Sequence, residues 1–195
     1  MTMRGIEQIP WLYDLFMRLA PGIERWRSKL VAGARGWVLE VGCGTGRGLP
    51  DYGEGVELFA LDPNFDALYR AHRRRHDARL VCASAESIPF ADNSFDCMVS
   101  SLVFCSVPDA DRGLRELKRV LRPGGRLLML EHVQARSTFG ARLLDGIQPA
   151  WTWISGGCHP NRDTVAAVER AGFVIDADSF RARGLMRRFT ARLGD

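Results

Sequence analysis

The apolar positions of this chain change their period near residue 36. Before it they recur at helical spacing. Trp11, Leu12, Leu15, Phe16 and Leu19 form one broad stripe, Pro21 interrupts, and Ile23, Trp26, Leu30 and Val31 form a second stripe among Arg25, Arg27 and Lys29. Two short helices are predicted there. After it, short apolar runs alternate with amphipathic stretches. Runs at 37–41 (WVLEV), 56–62 (VELFALD), 78–83 (ARLVCA), 95–104 (FDCMVSSLVF) and 126–133 (RLLMLEHV) read as strands, the fourth buried on both faces. Residues 65–76 read as a helix with Phe65, Leu68 and Tyr69 inward. A second helix carries Leu114, Leu117, Val120 and Leu121 on one face, with Asp109 or Asp111 as its cap and Arg122–Gly125 (RPGG) as its stop. A third, from 161, has Asn161 as N-cap and Gly172 as C-terminal stop. Residues 134–160 read as irregular or partly helical. The last two apolar runs, 173–180 and 187–193, are predicted to close as an antiparallel hairpin.

Strands alternating with helices imply an α/β fold whose parallel sheet is covered by helices on both faces. Counting the hairpin, the expectation is a Rossmann-like, seven-stranded, mostly parallel sheet. At 195 residues and 46% hydrophobic content the chain suits one globular domain. The net charge of +4, from 27 basic and 23 acidic residues, permits an anionic partner without requiring one. No apolar run is long enough to span a bilayer and the N-terminus lacks a signal-peptide h-region, so a cytoplasmic location is expected. The five cysteines, Cys43, Cys82, Cys97, Cys105 and Cys158, include no CxxC pair. They read as small buried thiols, with no disulfide frame and no metal site expected.

Ligands of such sheets bind beyond the carboxyl ends of the strands. The first strand runs into VGCGTGRG, residues 41–48. A phosphate-binding P-loop needs Lys followed by Ser or Thr after its glycines, and Arg47-Gly48 stands there instead. The dinucleotide fingerprint needs G-x-G-x-x-G, whereas the spacing here is G-x-G-x-G over Gly42, Gly44 and Gly46. Glu40, two residues before the first glycine, would repel a pyrophosphate and attract a cationic ligand end. Asp62, at the end of the next strand, lies where a carboxylate accepts from ribose hydroxyls. Acid, bare glycines and ribose acid together describe an adenosine cofactor with a cationic tail and no phosphates. S-adenosylmethionine (SAM) is such a molecule.

With these residues the sequence resembles the class I SAM-dependent methyltransferases. The resemblance covers roughly residues 35–180 through VLEVGCGTG, FALDPN, AESIPFADNSFDCMVSS, LRELKRVLRPGGRLLMLEH and VERAGF, in order. It implies that Glu40, Gly42, Gly44 and Gly46 hold the methionine end and Asp62 the ribose. Pro63 would lie under the adenine, and Ser84, Ala85 and Glu86 would flank its edge. Many relatives have Asp where Ser84 stands. Ser101 and Leu102 would line the methyl-donor side. S-adenosylhomocysteine (SAH) would be the product. The family often folds an N-terminal segment over its cofactor, so residues 1–33 are expected as a helical lid on a domain of residues 34–195. In that lid Trp11, Tyr13 or Phe16 would contact SAM or the acceptor. The strings LVFCSV, VLRPGG, LEHV and PAW resemble a small-molecule, methyltransferase type 11-like branch. It includes phospholipid N-, quinone C- and membrane-associated thiol S-methyltransferases.

The implied function is methyl transfer from SAM to a small, apolar or lipid-like acceptor: a phospholipid amine, a thiol, or a quinone or phenol. Such a displacement needs a general base only when the acceptor must lose a proton. His132, just past the fifth strand, and His159, in GGCHPN, are the candidates. Against them stand a histidine bonded to Glu131 and simple loop polarity. Trp151 is a candidate acceptor wall or a cover for the sheet edge. The apolar stripe of the first helix, with Arg18, Arg25, Arg27 and Lys29 nearby, could also lie on an anionic membrane, giving a peripheral location at its inner surface. Two other classes remain open. A nucleic-acid methyltransferase is disfavoured because SSLVFCS replaces an Asn-Pro-Pro-Tyr-type motif. A non-catalytic SAM-binding module would keep the acid and the glycines but lack an acceptor site.

Overall fold

A computed structural model describes residues 5–133 and 138–194. Strands β1 (Trp37–Val41), β2 (Glu57–Asp62), β3 (Arg79–Cys82), β4 (Phe95–Ser101) and β5 (Leu121–His132) are parallel in the order β3-β2-β1-β4-β5. Beyond β5 the sheet turns antiparallel through β8 (Met186–Leu193), which pairs with β5 on one side and with β6 (Phe173–Ile175) and β7 (Arg181–Arg183) on the other. The expected hairpin is therefore present, but among the described residues the sheet has eight strands rather than seven. The extra strand arises because Asp176 accepts from the Asp178 backbone N–H and turns the chain through residues 177–179, dividing one predicted strand into β6 and β7.

Alternation along the strands feeds two apolar layers. Leu39, Val41, Leu61, Met98, Leu127 and Met129 face α4 (Ala110–Val120) and α6 (Thr164–Arg170). Val38, Leu58, Ala60, Val99, Leu128 and Leu130 face α2 (Pro21–Val31) and α3 (Phe65–Arg74). Glu40 has the parity of Val38, so its carboxyl is carried beneath α2. The sheet runs outward from β1 through β2 and β3, then returns to β4 on the other side. That reversal opens the crevice between the carboxyl ends of β1 and β4.

Several local expectations change. In α3, Ala67, Leu68 and Ala71 are buried, while Phe65 and Tyr69 are exposed. The RPGG segment does more than stop α4. It bulges out at the start of β5, where the register jumps from Phe95↔Leu121 to Cys97↔Arg126. Asp109 caps α4 by accepting from the Arg112 N–H. Asp163, not Asn161, caps α6. Residues 138–155 form a helix, α5 (Thr138–Ser155). Cys82 is exposed, whereas the other four cysteines are buried.

The N-terminal segment comprises a short 3-10 turn (Ile6–Gln8), α1 (Pro10–Arg18) and α2. Helix α1 packs with its apolar stripe outward. It buries Asp14 and Met17 and exposes Trp11, Leu15, Phe16 and Leu19, the last to 81%. The polar side faces inward because it has partners there. The Asp14 carboxylate accepts from Thr45 Oγ1 at 2.7 Å and pairs with Arg74 at 2.9 Å, Arg70 at 3.4 Å and Arg47 at 3.5 Å. Burial pushes the Asp14 carboxyl upward, but the Thr45 hydroxyl and the arginines outweigh it and hold it below the usual range.

Candidate active site

A cavity of about 400 Å³ occupies the crevice, within the size range of small-molecule sites. Its floor is the turn after β1, its sides are the loops after β2, β3 and β4, and its roof is the N-terminal segment with the end of α5. The glycines of the turn divide their roles. Gly44 has φ +53° and open space where a Cβ would stand, so a ligand can approach its backbone. At Gly46, φ +75°, a Cβ would lie 2.7 Å from Ala71, so this glycine lets α3 pack and does not reach the cavity. Gly42 reaches the wall and leaves room for Val103.

At one end of the cavity stand Glu40, Arg27 and Ser101. Arg27 is buried. Its Nε donates to Ser101 Oγ at 3.2 Å, and its other nitrogens donate to Glu24 at 2.9 Å and to the Tyr13 hydroxyl at 3.5 Å. Glu40 is buried, and its Oε2 has no hydrogen-bond partner among the described residues. Burial pushes its carboxyl up to about 7, against the pull of the Tyr52 hydroxyl and Arg27. A buried carboxylate oxygen left unpaired is costly, so a cationic donor at this wall would be well received. Asp62 accepts from the Gly44 N–H and the Asn64 N–H, each at 2.8 Å, which fixes its carboxylate at the lip of the cavity. Each oxygen keeps a lone pair for a further donor. An ammonium at Glu40, a carboxylate at Arg27 and ribose hydroxyls at Asp62 are the complement of SAM, and the donor set fits it.

The other end is mostly apolar, with Trp151, Ile154, Val103 and Val107 beside Cys105, Ser106, Cys158, His132 and Glu7. Glu131 sits beneath it, fully buried. Its Oε1 accepts from Ser100 Oγ at 3.0 Å and from the Val103 and Phe104 N–H groups at 3.2 Å. Burial pushes its carboxyl up to about 7 despite those donors. Glu131 thus holds the loop after β4, and no hydrogen bond joins it to His132 among the described residues. That loop contains Leu102 at φ +62°, a conformation uncommon outside glycine, asparagine and aspartate. His132 Nδ1 is buried without a hydrogen-bond partner among the described residues. Cys105 and Cys158 stand next to each other here. Interaction between the two thiols raises Cys105 and lowers Cys158, with His132 and Trp151 lowering Cys158 further.

The structure thus brings together Glu40, Gly42, Gly44, Asp62, Pro63, Ser84, Ala85, Ser101 and Leu102 with Tyr13, Phe16, His132 and Trp151. It leaves out four other expected residues. Gly46 packs against α3. Glu86 lies behind Ser84 and accepts from the Asp109 N–H, fixing the start of α4. Trp11 points outward, because Asp14 turns the opposite face of α1 inward. His159 is bound to the Cys105 carbonyl through its backbone N–H at 2.8 Å, so it braces the loop and does not line the cavity. Glu7 and Arg27, which line the cavity, escape the sequence reading, as does Asp14, which anchors the roof above it. Arg27 looked like a solvated charge on α2. Its only signal was its position on the same face as Ile23 and Leu30.

A family model described as a methyltransferase domain matches residues 39–129. Human thiol S-methyltransferase TMT1A is 40% identical over 144 residues, covering 70% of this chain and 59% of that protein. The demethylmenaquinone methyltransferase of Renibacterium salmoninarum is 38% identical over 122 residues, covering 60% of this chain and 50% of the relative. The chain therefore spans between half and three fifths of the length of these two curated relatives. A solved SAM-dependent methyltransferase from Thermotoga maritima superposes with a TM-score of 0.73 at 18% identity, covering 96% of this chain and 97% of that one. At that identity the likeness is one of fold.

Proposed function

Because the chain belongs to the SAM-dependent methyltransferases, we propose that it transfers a methyl group from SAM to the sulfur of a small apolar thiol. The observation that carries the cofactor half is the unpartnered Glu40 Oε2 in a wall that also presents Arg27, open Gly44 and Asp62. The acceptor half is supported by the apolar opposite end and by the 40% identity to a protein named as a thiol S-methyltransferase. SAM, when bound, supplies an already activated methyl carbon. The protein's task is then to position two reactants and keep water out. Glu40 and Arg27 hold the two charges of the methionine end, and Asp62 holds the ribose. Glu131 fixes the backbone of residues 103–104, so that Leu102 and Val103 stand rigidly beside the reacting centre. Tyr13, Phe16 and Met17 close the roof.

The same reading places the protein at the surface of an anionic membrane, facing the cytoplasm. Helix α1 exposes Trp11, Leu15, Phe16 and Leu19, and α5 exposes Ile147, Trp151, Trp153 and Ile154. Both ridges flank the cavity mouth, and Arg18, Arg25 and Lys29 are exposed on the same segment. An apolar acceptor dissolved in lipid would enter directly between them.

The test is a labelled-SAM screen of the full chain against alkyl and aryl thiols, demethylated quinols and phosphatidylethanolamine. Methylated thioether is the expected product. Transfer to the quinol carbon or to the amine with no thioether formed would replace the thiol reading. Failure to bind either SAM or SAH in calorimetry would remove the cofactor assignment.

A further inference from the structure

Glu7 contributes to the cavity wall without a part in holding the cofactor end. It stands in the 3-10 turn that opens the N-terminal segment, and that turn is fastened on both sides of it. Gly5 packs so close to Gly156 that a Cβ on it would come within 2.2 Å of the Gly156 nitrogen. Gln8 Nε2 donates to the Gly156 carbonyl at 2.8 Å, and the Gln8 carbonyl accepts from Asn64 Nδ2 at 3.2 Å. Held this way, the Glu7 side chain enters the acceptor end of the cavity. Its Oε2 accepts from Ser106 Oγ at 2.8 Å, and its Oε1 has no partner among the described residues. Ser106 belongs to the loop after β4, the same loop whose Leu102 and Val103 line the reacting centre.

A free alkyl thiol has a pKa above neutrality and is mostly protonated at pH 7. Methylating it requires a group that removes the proton. Glu131 does not line the cavity: it is fully buried beneath the wall, where its Oε1 accepts from Ser100 of β4 and from the Val103 and Phe104 N–H groups, so its side chain is shut off from an acceptor. Cys158 is committed to Cys105. Building on the thiol reading above, we propose that Glu7 is the general base that takes the proton from the acceptor. The proton passes from the acceptor sulfur to the Glu7 carboxylate. The freed electron pair forms the new carbon–sulfur bond to the methyl group as that carbon's bond to the sulfonium sulfur breaks, and the breaking bond's electrons stay with the departing thioether, SAH. The proton then leaves Glu7 for water when the segment lifts. Because the base rides on the roof, proton removal is confined to the closed state.

The electrostatic setting agrees with this role. Burial pushes the Glu7 carboxyl up to about 7, with Cys158 and Glu131 adding to the rise and the Ser106 hydroxyl opposing it. The other groups that sense its charge are Cys105, on the loop after β4, and Tyr13, on α1. A base with a pKa near the working pH is the most effective.

The test compares the full chain with Glu7→Gln, which retains an acceptor for Ser106, using an alkyl thiol and a nitrothiophenol already ionised at neutral pH. Expected for Glu7→Gln is a loss of about 100-fold in kcat with the alkyl thiol and less than about threefold with the aryl thiolate. For the wild type with the alkyl thiol, kcat should rise with pH through about 7, and this limb should be absent in Glu7→Gln. Infrared difference spectra of the SAH complexes between pH 6 and 8 should show one protonated-carboxyl band lost on the substitution. Equal losses on both thiols would overturn the proposal, because Glu7 would then be structural. So would a pH limb that survives in Glu7→Gln and disappears in His132→Gln. A wild type inactive on both thiols would instead sink the thiol reading on which the proposal rests.

Discussion

A carboxyl group that titrates near neutrality ties the binding of a cationic ligand to pH, and Glu40 is such a group. Its burial comes from strand parity, which carries it under α2, and its Oε2 has no hydrogen-bond partner among the described residues. A cationic ligand end needs the ionised form. Above pH 7 the carboxylate is ready, and below it binding must first expel a proton. SAH affinity should therefore fall as the pH is lowered from 8 to 5.5, by up to about tenfold per unit below pH 7. Calorimetry of the wild type and Glu40→Gln checks this. The variant should bind more weakly at pH 8 and lose most of the pH dependence, and a parallel dependence in both proteins would place the titrating group elsewhere. The acid itself was legible in the sequence, as the residue two positions before the first glycine. Its pKa was not, because desolvation depends on what α2 places above it.

Among the elements, α1 shows how one buried charge can set the orientation of a helix. Its apolar stripe, with Trp11, Leu15 and Leu19, faces outward and its polar face inward. Asp14 decides the matter, because Thr45 and three arginines from the turn after β1 and from α3 converge on it. Removing one member of a buried ion pair leaves the others uncompensated. Asp14→Ala should loosen the roof while leaving the sheet intact. Since each ~1.4 kcal/mol lost from closure is a factor of ten, the KM for SAM should rise about tenfold or more. Hydrogen exchange should quicken over residues 5–31 and stay unchanged in β1, β4 and β5. An unaltered KM with unaltered exchange would mean that the arginine cluster does not hold the roof. The same interaction has a pH signature. Asp14 is held below its usual pKa, so its stabilising contribution is present above about 4 and is lost as the pH falls through its lowered value.

At the scale of the whole molecule, the proposed membrane contact rests on the exposed apolar residues of α1 and α5 and the exposed cations of the N-terminal segment. The net charge of +4 is too small to bind an anionic surface alone, so attachment needs the apolar side chains as well. The full chain should co-sediment with phosphatidylglycerol vesicles, less so as salt is raised. Leu15→Glu combined with Leu19→Glu should cut the pelleted fraction several-fold without changing SAH affinity, since neither side chain lines the cavity. Equal pelleting of wild type and double variant would rule out α1 as the contact.

The sequence alone determined the alternation of strand and helix, the glycine turn, the acid before it and the acid that ends β2. Each of these is written in near neighbours along the chain, through side-chain periodicity or through a turn that only glycine permits. The same locality made the cofactor legible and its family recognisable. Tertiary structure decided what depends on distant segments meeting. Asp176 divided a strand in two. Gly46 proved to serve helix packing, and His159 a loop brace. Arg27 and Glu7 joined a cavity whose other walls lie tens of residues away. Burial, pairing and pKa are set by which side chains fill the same space, and a linear pattern does not encode that space.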